Sequence, residues 1–188
     1  MGKSTTAQMF RDAGVPVWDA DEAVHGLYAQ GGAAVAPIAA RYPSAIVENA
    51  VSRDVLKTLI AADATVLSHL ESIVHPLVAQ NRAQFLAQHT EPLLVFDIPL
   101  LFETHADDWL DSVLVVSAPA DAQKSRVMAR SGMTEQQFEA ILARQLSDIE
   151  KRRRADHIIE TRTLDGTALA VQNLIVKLKG QSDARDRT

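Results

Sequence analysis

Short apolar runs alternate along this chain with longer stretches whose apolar residues return every three or four positions. LLVFDI (residues 93–98) and SVLVVS (112–117) are continuous apolar runs, the pattern of strands covered on both faces of a parallel sheet. VPVWDAD (15–21) predicts a short strand running into a loop, and HII (157–159) predicts a last one. Residues 5–12 read as a helix, with Gly14 placed to stop it. Pro119 suits a first helical position and Gly132 the exit of that helix, which sets Arg126 and Arg130 one turn apart. Thr134 and Gln137 have capping-box spacing. Beyond them Phe138, Ile141, Leu142, Leu146 and Ile149 form a stripe at helical spacing, with Arg144 opposite. This alternation predicts an α/β fold with a mostly parallel sheet.

Residues 33–91 break the alternation. They are rich in alanine and leucine, start one helix near Ser52-Arg53-Asp54, and carry a long helical run from Val66 to Gln88. A helical insertion is expected there, with a kink or a break between two helices at His75-Pro76, since proline disfavours a helical residue before it. The polar tail, residues 181–188, is expected to fray.

Composition narrows the classes. With 188 residues, 47% of them hydrophobic, the chain can bury a core and is most simply one domain. It has no cysteine, so disulfides, thiolate metal sites and cysteine nucleophiles drop out, in keeping with a cytoplasmic protein. No apolar run reaches the roughly 18–20 residues of a membrane span. The net charge of -5 argues against a general nucleic-acid binder, whose affinity rests on neutralising phosphates. Positive charge nevertheless crowds between Lys124 and Arg154, which suits a small anionic ligand.

The opening MGKST holds the end of a phosphate-binding loop of the form G-x-x-x-x-G-K-[ST]. Gly2 is the second glycine, Lys3 would hold the β- and γ-phosphates, and Ser4 would coordinate magnesium, with amides at the helix start adding their dipoles. The bland alternative is an ordinary helix start. Asp19 and Asp21 follow the first apparent strand, at the carboxyl end where open α/β sheets bind ligands. One carboxylate suits a general base and the other can orient magnesium or ribose; equally, such a pair caps the next helix. Asp97, ending LLVFDI, stands where a magnesium-linked acid is expected, or in a plain turn. His25 and His75 are isolated histidines that suit structural roles. The KRRR run at 151–154 reads as a solvated helix face, leaving Arg126 and Arg130 as the better partners for a transferring phosphoryl group.

Taken in order, GKSTTAQMF, GVPVWDADEAVH, SRDVL, IVHPLV, DIPLLFE, VLVVSAP and RRRADHIIE resemble the bacterial dephospho-coenzyme A kinases over nearly the whole chain. The resemblance implies a P-loop kinase fold, with a helical substrate-binding insertion at about 33–91 and a lid at about 120–150. It implies ATP with Mg²⁺ as cofactors and phosphorylation of the ribose 3′-hydroxyl of dephospho-coenzyme A. Lys3, Ser4 and Thr5 then match the ATP-binding end of the loop, and Asp21 matches the proton-accepting carboxylate, with Asp19 beside it. Arg126 matches the arginine near the transferred group, with Arg130 after it on the lid side. Arg53, His75, Pro99, Leu100 and Glu103 match substrate-domain positions, and RRRADHIIE the stretch bordering adenine. Family members begin with a strand and G-x-x-x-x, a segment expected upstream of Met1. A P-loop kinase for another small hydroxyl substrate, and a non-catalytic remnant binding a coenzyme A-like ligand, are the alternatives.

Overall fold

The computed structural model describes residues 2–129, 134–142 and 145–185. The chain divides into two units, one from residues 1–17 and 91–188 and the other spanning Trp18–Thr90.

In the first unit, helix α1 (Lys3–Asp12) starts two residues earlier than the pattern predicts, behind Gly2 in the left-handed conformation. Thr6, Ala7 and Phe10 form its buried face. Gly14, at φ 73°, turns the chain so that Val15 enters the same core. Strand β1 (Val17–Asp19) carries the chain out of the first unit and into the second.

The second unit is mainly helical: α2 (Ala20–Tyr28), α3 (Val35–Arg41), α4 (Arg53–Ala62) and α5 (Thr65–Gln88). Between α3 and α4 lies a small antiparallel hairpin, β2 (Ile46–Val47) with β3 (Ala50–Val51), which the sequence pattern did not predict. Its loop residues Glu48 and Asn49 both have positive φ, 50° and 62°, the backbone that matches the twist of a two-residue hairpin. Of the kink or break expected at His75-Pro76, the break does not occur: helix α5 runs continuously through Pro76. Proline removes one hydrogen bond from the helix, but Val66, Leu70 and Val74 bury the preceding turns in a core with Leu27, Ile38 and Leu56. The Trp18 indole is buried and donates to Asn81 Oδ1 at 2.8 Å, giving its N–H a partner.

The chain returns to the first unit with β4 (Val95–Asp97), whose Val95 N–H donates to the Pro16 carbonyl at 3.0 Å. Then come β5 (Leu114–Ser117), α6 (Ala120–Met128), α7 (Glu135–Leu142) and α8 (Asp148–Arg154), followed by β6 (His157–Glu160) and α9 (Leu164–Arg185). Strands β5 and β6 pair in parallel, with Val115 opposite Ile158. Strands β4 and β5 are shorter than their apolar runs, whereas β6 extends one residue beyond HII. Pro119 caps α6 rather than opening it, and Gly132, Arg130 and Arg144 lie outside the described residues. The stripe from Phe138 to Ile149 does not follow one helix: α7 ends at Leu142, and Ile149 on α8 is 81% exposed. Helix α9 packs Val171, Leu174 and Ile175 against Phe10, Val15 and Ile159, and this core fixes the start of α1 near the ends of the strands.

Candidate functional site

Gly2 stands at the entry of α1 with φ 90°, a region that costs a residue with a side chain appreciable strain. A Cβ at Gly2 would also come within 3.1 Å of Thr161 Cγ2, so loop and strand end meet closely. Among the described residues no side chain caps the helix, which leaves the amides and dipole of its first turn open to an anion. Ser4 and Thr5 are exposed on that turn.

Lys3 reaches from the same turn to the Asp97 carboxylate at the end of β4. The pair is asymmetric: the Lys3 side chain is 44% exposed and that of Asp97 only 3%. The second Asp97 oxygen, Oδ2, is buried with no hydrogen-bond partner among the described residues. A buried carboxylate left unpaired is costly; the Lys3 ammonium meets that need at Oδ1 and leaves Oδ2 as an open acceptor.

A cavity of about 300 Å³ opens beside the α1 start, lined by Gly2, Thr5, Thr6, Arg126 and residues 161–164 and 167. Arg126, in the last turn of α6, donates from Nη1 to Thr161 Oγ1 at 3.0 Å and from Nη2 to the Thr161 carbonyl at 2.8 Å. Both acceptors are neutral, and no carboxylate pairs with Arg126 among the described residues. Its charge is therefore available to an anion in the cavity. Thr6 also lines this space, and its hydroxyl is buried without a hydrogen-bond partner among the described residues.

The KRRR run is solvent-exposed at Arg153 and Arg154, as its composition suggests, while Lys151 is largely covered, and all four side chains are ion-paired. Lys151 pairs with Glu103 at 3.2 Å, Arg152 with Glu160 at 3.0 Å, and Arg153 and Arg154 with Glu150 at 2.9 and 3.0 Å. Glu103 Oε1 also accepts the Leu146 N–H at 2.9 Å. Burial pushes the Glu103 carboxyl up, but the Leu146 N–H, its own backbone N–H and the Lys151 ammonium together hold it below its ordinary range. Nearby, Pro99 is half-buried, and Leu100 is 44% exposed at φ 53°.

Asp19, Asp21, Arg53 and His75 belong to the second unit. Asp19 ends β1 and caps α2, its Oδ1 accepting the Asp21 and Glu22 N–H groups at 2.9 and 3.0 Å. Asp21, in the first turn of α2, exposes a carboxylate with no partner among the described residues. Arg53 opens α4 with its guanidinium 5.7 Å from the centre of the Tyr28 ring, a cation–π distance. Burial pushes the Tyr28 hydroxyl up in pKa, and Arg53 offsets part of the rise. His75 is exposed on α5.

The structure thus gathers Gly2, Lys3, Ser4, Thr5, Asp97 and Arg126 in one unit. Thr161 and Thr6 were not singled out by their sequence pattern. The signal for Thr161 was available: it follows the last residue of a parallel strand, the place where such sheets bind ligands.

A glycine-preceded helix start, a lysine beside a strand-end carboxylate and an arginine over the same cavity define a phosphate-handling α/β protein of the nucleotide-kinase class. The family model for dephospho-CoA kinase matches residues 1–165, and the chain belongs to that family. It is 55% identical over 179 residues to a dephospho-CoA kinase of Ruegeria pomeroyi, covering 95% of this chain and 91% of the relative. A dephospho-CoA kinase of Cereibacter sphaeroides is 53% identical over 184 residues, covering 98% and 93%. Among solved structures, a Thermus thermophilus protein superposes with a TM-score of 0.80 at 32% identity, covering 94% of this chain and 92% of its own. The dephospho-CoA kinase of Campylobacter jejuni shares the fold, with a TM-score of 0.69 at 23% identity over 96% of this chain and 93% of its own.

Proposed function

We propose that this chain transfers the terminal phosphoryl group of ATP to the ribose 3′-hydroxyl of dephospho-coenzyme A, the final step of coenzyme A biosynthesis. The observation that carries this reading is Lys3, in the first turn of a glycine-preceded helix, set against the buried Asp97 at the end of β4. Family membership supports the choice of substrate.

In this reading, Gly2, Lys3, Ser4 and Thr5 receive the ATP phosphates at the positive end of α1. Magnesium, when bound with the nucleotide, supplies charge neutralisation across the phosphates. Ser4 and Asp97 are the residues that would hold it, as hard oxygen donors suited to that ion. Among the described residues no three acidic or histidine side chains form a ready-made metal cage; a magnesium held largely by phosphates and water needs none. The unpartnered Oδ2 of Asp97 fits a cation there.

Asp21 accepts the proton of the 3′-hydroxyl as the ribose oxygen bonds to the γ-phosphorus and the bond to the ADP oxygen breaks. Its free carboxylate suits that role better than Asp19, whose Oδ1 is engaged by two backbone amides. Arg126 neutralises charge on the group in flight, with Arg130 assigned beside the nucleotide. Asp19, Arg53, His75, Pro99 and Leu100 are assigned to dephospho-coenzyme A. Among the described residues no helix is long and apolar enough to cross a membrane. We assign the enzyme to the cytoplasm, with small-molecule rather than nucleic-acid or membrane partners.

The test is to incubate the protein with ATP, magnesium and dephospho-coenzyme A, and to locate the new phosphate by phosphorus NMR. Transfer to the 3′-oxygen, abolished with a 3′-deoxy analogue, is the expected result. Equal turnover of an unrelated nucleoside would point to another hydroxyl substrate. Binding of dephospho-coenzyme A without any turnover would make the chain a binding protein.

A further inference from the structure

Arg126 is held in a way that its role in catalysis alone does not explain. Its guanidinium spends two N–H groups on one residue, Thr161, through the hydroxyl and the carbonyl. The Thr161 hydroxyl has a single proton, and it donates that proton to the Ser117 carbonyl at 3.2 Å. With the proton committed to Ser117, only oxygen lone pairs remain to face Arg126. The Thr161 backbone is fixed too, its N–H donating to the same Ser117 carbonyl at 2.8 Å, where β5 and β6 end side by side. Ser117 and Thr161 are 1% and 6% exposed, so this mount is buried and packed. The Thr161 methyl carbon Cγ2 is also the atom that a side chain at Gly2 would meet first. One residue therefore bonds the arginine proposed to act on the phosphoryl group and lines the same cavity as Gly2, close to where a side chain there would project.

We infer that Thr161 is a positioning residue for phosphoryl transfer. It aims the Arg126 guanidinium at the mouth of α1 while leaving its charge free. The acceptor type matters here. A carboxylate in place of Thr161 would hold the arginine as firmly but neutralise it, whereas a hydroxyl and a carbonyl orient it and leave nearly its full charge for the substrate. A guanidinium aimed before the substrate arrives need not reorganise during the reaction, and small misplacements of such groups are expensive in rate. The inference rests on the reading of Arg126 given above, and the test separates the two.

The experiment measures kcat and both KM values for the wild-type enzyme, Thr161→Val, Thr161→Ser, Arg126→Ala and Thr161→Val with Arg126→Ala. Valine keeps the shape and loses the hydroxyl, so kcat should fall about tenfold while KM for ATP changes less than about twofold. Thr161→Ser should recover most of the lost rate, because the hydroxyl returns without the methyl. In the Arg126→Ala background, Thr161→Val should cost less than about twofold more, as expected when two residues act as one unit. A tenfold loss from Thr161→Val in both backgrounds would show that Thr161 acts through the fold and not through Arg126, overturning the inference. So would an unchanged kcat in Thr161→Val while Arg126→Ala is slow. An unchanged kcat in Arg126→Ala would instead remove the catalytic role of Arg126, and the inference with it.

Discussion

In the proposed reaction, two aspartates two positions apart divide the labour between structure and chemistry. Asp19 spends Oδ1 on the first amides of α2, so its removal exposes a helix end. Asp19→Ala should cost about 1 kcal/mol, or about 2–4 °C in Tm for a chain of this size. Asp21 caps nothing with its side chain, and its carboxylate is exposed. Asp21→Asn should therefore leave Tm unchanged and lower kcat by about 100-fold or more, as loss of a general base does. Melting curves and initial rates on the two variants separate the roles. A 100-fold loss in Asp19→Ala with normal rates in Asp21→Asn would reverse the assignment. The sequence offered both functions for this pair. Only the direction of the Asp19 side chain, which depends on where β1 ends and α2 begins, decides which residue is the cap.

At the scale of elements, the apolar runs located every strand of the first unit among the described residues but overstated the lengths of β4 and β5. A strand ends where backbone pairing stops, while burial continues into the loop, as Leu93 shows by packing in the core before β4 begins. The β2–β3 hairpin escaped notice because its strands have two residues each and Glu48-Asn49 is not a strong turn signal. Helix α8 shows the same limit for charge. Its arginines read as a solvated face, and Arg153 and Arg154 are exposed, but the ion-pair partners of these arginines, Glu160 on β6 and Glu150 within the helix, are not marked by the charge run itself. Hydrogen bonds from Arg153 and Arg154 hold the Glu150 carboxyl down at about 2, against an ordinary 4.5. A carboxylate depressed on folding stabilises the helix fully above its unfolded pKa, and that contribution fades as pH falls from about 4.5 through about 2. The Glu150 carboxyl carbon, followed by NMR, should titrate near the lower value. Arg153→Ala with Arg154→Ala should move the midpoint up toward 4.5. A wild-type midpoint already near 4.5 would mean that these contacts do not persist in solution.

At the scale of the whole molecule, the residues assigned to the proposed reaction fall in two units, each with a core of its own. Phe10, Val15, Ile159 and Val171 hold the first, and Leu27, Ile38, Leu56 and Leu70 the second. In the proposed reaction, the groups that meet ATP lie in the first unit, and most of those assigned to dephospho-coenzyme A, including Arg53 and His75, lie in the second. A ligand slows local opening only where its contacts must break for the opening to occur, by up to about 2.7 kcal/mol at 100 times its Kd. Amide hydrogen exchange with one ligand at a time should therefore give two footprints. ATP with magnesium should protect residues 2–12 and 161–167, the walls of the cavity beside α1. Dephospho-coenzyme A alone should protect the start of α4 and the middle of α5 and leave residues 161–167 unchanged. Lys3→Ala should weaken the first footprint and spare the second. If ATP protected only the second unit, the phosphate site at Gly2 to Thr5 would be misassigned. If dephospho-coenzyme A protected only the first, its binding site would have to be sought in that unit, and Arg53 and His75 would lose their roles.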